Sequence, residues 1–292
     1  MRDDKTKQRI LQYLKQHVSF NESEEKEVFE HLDQPDSVVE IIDAQHNLVG
    51  VIKVSTWDSF AHQKAAQLIV GCDEQVEVYE IVQQKLEQVL AQLKNQGINM
   101  IMCPINNNNN PSLKKLLNQQ DFEAWYGYVY MKHDGSVQPT STLHKRSVEK
   151  EDFKEYYHHM GLCFVPMRQA MDIRPYNVVD ALFNDEKAIE KEFKEWYENK
   201  ENSFMYFNDN NQWVGCGLLN GSDMDDIFVL ENHQKHGYGA QIVRDLLAHA
   251  QKNNILLYTG FVAYNKHAGK LYEDHGFVPY KEVIYYRWLN ND

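Results

Sequence analysis

The chain has 292 residues, of which 42% are hydrophobic, 25% charged and 12% aromatic. That length is about twice a common domain size, and the apolar content excludes a disordered chain, so two folded domains are expected. Forty-three acidic against 30 basic side chains give a net charge of −13, which disfavours nucleic acid and anionic membrane as partners and favours a cationic or neutral one.

Cys72, Cys103, Cys163 and Cys216 are widely spaced, with no Cys-x-x-Cys and no metal-ligand spacing, and read as reduced, mostly buried thiols. No window approaches the roughly 18 apolar residues of a spanning helix, and the N-terminus runs into an amphipathic pattern without a continuous apolar core. A cytoplasmic location is expected.

In chain order, helical spacing predicts helices over residues 5–16 and 22–33, with Asn21 and Glu24 as a capping box for the second. Val38 to Ile42 and Leu48 to Val54 form a hairpin about a polar turn at 43–47. A strand over 66–70, a long helix over 75–95 and a strand over 98–105 follow. The last of these ends in asparagines 106–110. A short helix around Leu113, Leu116 and Leu117 precedes a pair of aromatic-rich strands reaching Met131. The polar, breaker-rich stretch 134–141 reads as a linker between domains at 1–133 and 142–292. Beyond it come a short strand near Leu143, helices at about 151–160 and 185–199, and a hairpin at 204–219 turning at 209–211. A strand over 227–230, a helix over 238–252, a strand over 255–262, a helix over 266–274 and a strand over 283–288 complete the chain.

This order of elements resembles that of the first half. Pairing Phe122 with Phe277 sets Asn110 on Asn265, Leu113 on Ala268, Leu116 on Leu271 and Leu117 on Tyr272, so an apolar skeleton recurs while the phenol does not.

The most informative stretch runs from Ile227 through Gln234-Lys235-His236-Gly237-Tyr238-Gly239-Ala240 into a helical pattern. A strand enters a short polar loop, two glycines bare the backbone, and a helix starts at once. Main-chain N–H groups at such a helix start form an anion site, and glycine lets a phosphate come close; a glycine turn whose only task is to start the helix is the plainer alternative. A dinucleotide fingerprint is excluded by Ile242 at the third glycine position and by Leu257 and Tyr258 where an acidic residue is needed. No P-loop motif occurs either.

These residues resemble the GNAT superfamily of acyl-CoA-dependent N-acyltransferases. Gln234 to Ala240 fits its Gln/Arg-x-x-Gly-x-Gly/Ala signature, and Asn265-Lys266-His267-Ala268-Gly269-Lys270-Leu271-Tyr272-Glu273-Asp274-His275-Gly276-Phe277 fits its Asn-x-x-Ala-x-x-Leu-Tyr-x-x-x-Gly-Phe pattern. The resemblance covers about 142–290 well and 36–133 by order of elements. It implies an α/β (α+β) fold of tandem GNAT-like domains, each a mixed, mainly antiparallel sheet flanked by helices.

The resemblance further implies that the main chain of Gln234, Lys235, His236, Gly237, Tyr238, Gly239 and Ala240 holds the pyrophosphate of acetyl-CoA. The strand edge at Phe228 and Val229 would pair with its pantetheine arm, and Asn265 would contact that arm or the chain opposite. Tyr272 would protonate the departing thiolate. A half-buried packing tyrosine is the plainer alternative.

An ammonium cannot attack a thioester, so a base is required. Asp223, Asp225 and Asp226 lie just upstream of Ile227; Asp223 and Asp225, two apart, would share one strand face, and Asp223 stands where some members carry a catalytic Glu. A solvated acidic turn is the alternative. Glu231, where many members have Pro, is a third candidate. His233 and His236 share a loop but lack a third ligand, so no metal is expected. Cys163 would be a nucleophile only beside a thiolate-stabilising neighbour. Residues 161–168, read as a loop between two helices, would build the acceptor pocket, with Phe164, Met167 and Arg168 as its readers.

The expected function is acetyl transfer from acetyl-CoA to a small-molecule or peptide amine by direct attack, in the C-terminal half. The first half, whose stretch from Gly71 to Glu80 lacks Gly-x-Gly and carries acidic side chains, would be a degenerate copy that completes the acceptor cleft or supplies an interface. A non-catalytic acyl-CoA sensor is the competing reading. The acceptor, the acyl chain length and whether the chain forms an oligomer are left open.

Overall fold

Asp3 starts the first helix by accepting the N–H of Thr6 at 2.7 Å, and Val82, Leu86, Leu90 and Leu93, three or four residues apart, give the third its buried stripe. The structure, a computed structural model, describes residues 2–18, 20, 22–34, 37–42, 45–58, 64–73, 76–106, 111–136 and 140–290. The proposed cap Asn21, turn residues Asp43 and Ala44, Glu74 and Gln75, asparagines 107–110 and linker residues 137–139 lie outside the described residues.

The described elements are α1 (Asp4–His17), α2 (Glu22–His31), β1 (Val38–Ile42), β2 (Leu48–Asp58), β3 (Lys64–Cys72), α3 (Val76–Asn95), β4 (Met100–Asn106), α4 (Pro111–Gln119) and β5 (Glu123–His133). Then come β6 (His144–Ser147), α5 (Phe153–Ala170), α6 (Val178–Leu182), α7 (Glu186–Glu198), β7 (Ser203–Phe207), β8 (Trp213–Asn220) and β9 (Asp223–Val229). Last are α8 (Tyr238–Lys252), β10 (Tyr258–Val262), α9 (Lys266–Glu273) and β11 (Phe277–Leu289). No helix among the described residues is long and apolar enough to cross a membrane.

Packing divides the chain into Met1–Gly127 with Lys281–Asp292, and Tyr128–Tyr280. This partition differs from a cut at 134–141, because the last strand is grouped with the first unit through its pairing with β4.

In the first unit the strand order is β1-β2-β3-β4-β11, antiparallel except for β3 with β4. The alternation of β2 sorts its side chains: Ile52 joins Leu68, Ile101 and the stripe of α3, whereas Val51 joins Ile10 and Leu14 of α1, Val28 of α2 and Leu32 just beyond it. Each such fully buried side chain contributes roughly 1.5–3 kcal/mol.

In the second unit the order is β5-β10-β9-β8-β7-β6, again mainly antiparallel. Phe204, Tyr206, Val214 and Met224 pack under α8 and α9, and Met205, Cys216 and Phe228 pack under α5 to α7. Helix α8 buries Ile242, Val243, Leu246, Leu247 and Ala250, a stripe at helical spacing.

Two local expectations are corrected. The aromatic stretch before Met131 is one strand, β5, with no turn inside it. Residues 161–168 are not a loop: α5 runs through Gly161 and Pro166 to Ala170. Gly161 acts there as a contact point rather than a breaker, because a Cβ would overlap Val179 of α6.

Candidate functional site

Strand β9 begins as a regular partner of β8 and then changes register. Leu218 pairs with Asp225 and Cys216 with Phe228, so Asp226 and Ile227 stand opposite Gly217 alone. That is a β-bulge, and within it Asp226 takes a left-handed φ of +46°. Met224 packs on the α8 side and Phe228 on the α5 side, although even spacing would put them on one face. The extra residue brings Asp226 round towards the α5 side, next to Asp225.

Parallel pairing of β9 with β10 is confined to its start. Tyr258 is in register with Asp223, Tyr258 N–H donates to Ser222 O at 2.8 Å, and the Thr259 hydroxyl donates to Met224 O at 3.0 Å. Past that point β10 is held on its other edge by β5, from Tyr258 opposite Lys132 to Val262 opposite Tyr128. Among the described residues, β9 has no strand partner on this edge from Asp225 onwards.

Val229 shows what the open edge offers. Leu230 N–H donates to Val214 O at 3.0 Å, so by the alternation of an antiparallel ladder the main-chain groups of Val229 face away from β8. Its carbonyl accepts the Gln234 side-chain amide at 3.1 Å and the Cys163 thiol at 3.5 Å. Phe228, paired with Cys216, is engaged with β8, so of the two expected positions only Val229 presents its backbone to the open edge.

Residues 230–237 connect β9 to α8. After a 3-10 turn at Glu231–His233, Lys235 takes a φ of +62° and Gly237, the N-cap of α8, a φ of +81°. Alternating left-handed residues turn successive N–H groups into one concavity. Gln234 N–H goes to Glu231 O and Gln241 N–H to Gly237 O, while the N–H groups of Lys235 to Ala240 meet no acceptor among the described residues. Six donors at a helix N-terminus suit a polyanion such as a pyrophosphate. Gly237 is favoured by its backbone angle, whereas a Cβ at Gly239 would make only ordinary contacts with Leu271 and Val229 at 3.7 Å, so packing within the protein does not demand glycine there.

Tyr272 of α9 is 8% exposed, with its ring near Phe261 and Phe277. Burial raises its pKa, Thr259 opposes the rise by hydrogen bonding, and Asp225 adds to it, so the phenol stays protonated. Thr259 also stands where β9 and β10 part, which ties Tyr272 to the base of the opening. Asn265 caps α9 by accepting the N–H of Ala268 at 3.2 Å.

The carboxylates do not share one environment. Asp223 begins β9, and Asp225 is exposed and accepts the N–H of Asp226 at 2.9 Å. Asp226 is the perturbed one: burial, then Asp225, then Glu192 of α7, push it up to about 7. Sequence reasoning missed it because strand alternation assigns it to the wrong face, and no residue pattern announces a bulge here.

Other expected residues fall as follows. Cys163 is pushed up to about 11 by burial and by Glu231, so it is a thiol and not a thiolate. His236 places Nδ1 2.7 Å from Gln234 O, and no group of three possible metal ligands occurs among the described residues. Phe164 packs into the α5–α7 core and Arg168 Nε donates to Pro175 O at 2.8 Å, tying helix to loop. None of Phe164, Met167 and Arg168 lines the cavity of about 330 Å³ beside the loop. Its α5 wall is His159, Leu162, Cys163 and Pro166, one helical face, and its other wall is 230–234.

Residues 173–290 match the family model described as an acetyltransferase (GNAT) domain. No curated protein matches the chain by sequence. A GCN5-related N-acetyltransferase from Sphaerobacter thermophilus has a similar structure, with a TM-score of 0.66 at 12% identity over 91% of this chain and 85% of that one. A tandem GNAT protein from the clavulanic acid biosynthesis pathway gives 0.60 at 10% identity, covering 99% and 97%. A GNAT-family acetyltransferase from Colwellia psychrerythraea gives 0.52 at 13%, covering 99% and 98%. At these identities the similarity is one of fold.

Proposed function

Since the chain carries a GNAT acetyltransferase domain at residues 173–290, we propose that it is an acetyl-CoA-dependent N-acetyltransferase acting on an amine, with its active site in the second unit. The observation that carries this reading is the run of six unengaged N–H groups from Lys235 to Ala240, set beside the unpartnered edge of β9. The residues fit acetyl-CoA: the N–H cradle suits a pyrophosphate, and the Val229 backbone suits an extended amide chain.

Acetyl-CoA, when bound, supplies an acetyl group activated as a thioester. Asp226 is the general base, because a carboxylate pushed up to about 7 accepts a proton at neutral pH far better than an ordinary one. It takes the proton of the acceptor ammonium. The neutral amine nitrogen then forms the new C–N bond as the C–S bond breaks. Tyr272 donates its phenolic proton to the departing sulfur, and the second proton that the nitrogen sheds as the amide forms returns to the phenolate oxygen. Of the bases expected from sequence, Asp225 becomes a neighbour that raises the affinity of Asp226 for a proton, while Asp223 stands at the start of β9.

The first unit is read as a degenerate copy that binds no coenzyme, since residues 73–75 alone connect β3 to α3 and Leu117 stands in place of Tyr272. Calorimetric titration with acetyl-CoA, on the wild type and Gly237→Glu, followed by an amine panel read by thiol release, tests the whole reading. One site per chain, lost in the variant, with thiol release supports it. Two sites overturn the degenerate first unit. Binding without transfer to any amine makes the chain an acyl-CoA sensor instead.

A further inference from the structure

The acidic surroundings of Asp226 carry information that acyl transfer alone does not use. Asp226 of β9 acts electrostatically on both Tyr156 and Tyr157 of α5, its neighbour Asp225 on Tyr156, and Glu192 of α7 on Tyr157. The Tyr157 hydroxyl donates to Glu192 Oε1 at 2.7 Å, which fixes that carboxylate over the site. Glu195 has its own cation, Lys191, at 3.8 Å on the outer side of α7. Glu192, Asp225 and Asp226 have none among the described residues, and the charges acting on Asp226 are both negative.

A second, independent feature points to a ligand. The Tyr156 hydroxyl is buried and has no hydrogen-bond partner among the described residues, and of the charges acting on it Asp226 has the largest effect. Its ring lies 5.4 Å from Trp196 and 5.5 Å from Phe228, and Tyr157 completes an aromatic wall. Three uncompensated carboxylates and an unused phenolic oxygen are together the chemistry that holds ammonium groups.

We infer that the acceptor is a di- or polyamine, bound with one ammonium delivered to Asp226 and a second held by Glu192 and Asp225 against Tyr156 and Tyr157. This rests on the acyl-transfer reading above and names its substrate class. Asp226 is occupied with the reacting nitrogen, so the other two carboxylates remain for a further cation. A free carboxylate on the acceptor would be repelled, which disfavours amino acids and acidic peptides. The chain's net charge of −13 draws a polycation from solution. Transfer converts one ammonium into a neutral amide, so the product carries one positive charge fewer and is held less firmly.

The test compares n-butylamine with 1,4-diaminobutane at saturating acetyl-CoA, using the full chain. We expect kcat/KM for the diamine to exceed that for the monoamine by about tenfold or more, and the gap to narrow as salt is added. Glu192→Gln should bring the ratio to within about twofold. Tyr157→Phe, which keeps the ring but frees Glu192, should reduce it part of the way and decides the matter if the first variant does not fold. Transfer to both amines at equal kcat/KM, or an unchanged ratio in both variants, overturns the inference and leaves acyl transfer standing. No transfer to any amine overturns both.

Discussion

The two units repeat one order of elements but start their long helices differently. In the second unit, residues 230–237 make a loop with left-handed Lys235 and Gly237, and the N–H groups that open α8 meet no acceptor among the described residues. In the first, residues 73–75 join β3 to α3, and Asp73 is bonded to the Tyr13 hydroxyl at 3.0 Å. The openings beside them differ too: β3 pairs with β4 at Ala65, Ala66 and Gln67, whereas β9 is in register with β10 at Asp223 alone. In the first unit Tyr79 of α3 also donates to Ser112 O of α4 at 3.0 Å, a tie between the two helices. The comparison teaches that the framework and the free N–H groups are separable: the order of helices and strands recurs, while the run of N–H groups without an acceptor among the described residues depends on one loop.

The largest effect should come from the loop itself. Gly237→Glu combines a strained φ with a negative charge where a pyrophosphate is expected, and should abolish acetyl-CoA binding by calorimetry. Glu80→Gln, on the exposed side of α3, should leave it within about twofold. Equal losses in both would erase the contrast between the units.

Next is Asp226→Asn, for which kcat should fall by about 10²–10⁴. In the wild type, kcat should rise with pH through about 7 as Asp226 loses its proton, with Asp225, Glu192, Tyr156 and Tyr157 facing it. Its folded pKa lies above that of an unfolded aspartate, so the native state loses stability as pH rises from about 4 to about 7. The variant should therefore melt higher than the wild type at pH 8, and a lower melting point would contradict the buried carboxylate.

Tyr272→Phe should cost about 10–100-fold in kcat while leaving the KM for acetyl-CoA unchanged, a split that a packing role does not produce. The smallest effect belongs to the first unit: Tyr79→Phe should lower stability by about 0.5–1.5 kcal/mol in urea unfolding, with kcat unaffected.

Much of this was legible in the residues. The bounds of α8 follow from Gly237 and the stripe from Ile242 to Ala250, and the recurrence of α4 in α9 follows from Phe122 and Phe277 with their leucines. The cradle was legible because left-handed geometry selects glycine. Asp226 was not, because a bulge is a property of two paired strands, and neither Gly217 nor Asp226 declares by itself that the register slips. The extent of α5 was hidden for a related reason: Gly161 and Pro166 look like breakers until the neighbour that needs a bare Cα, Val179, is placed.

The final strand joins the first unit. Residues Val283 to Leu289 lie in register with Asn106 to Met100, so β4 receives its edge partner from the far end of the polypeptide. During synthesis at about 5–20 residues per second, the first sheet waits some ten seconds or more after β4 is made before that partner emerges. Until then β4 carries an open ladder of amides and carbonyls, an invitation to pair with another nascent chain. A ribosome-bound fragment ending before Val283 should be more prone to aggregation, and more open to protease, than the completed chain.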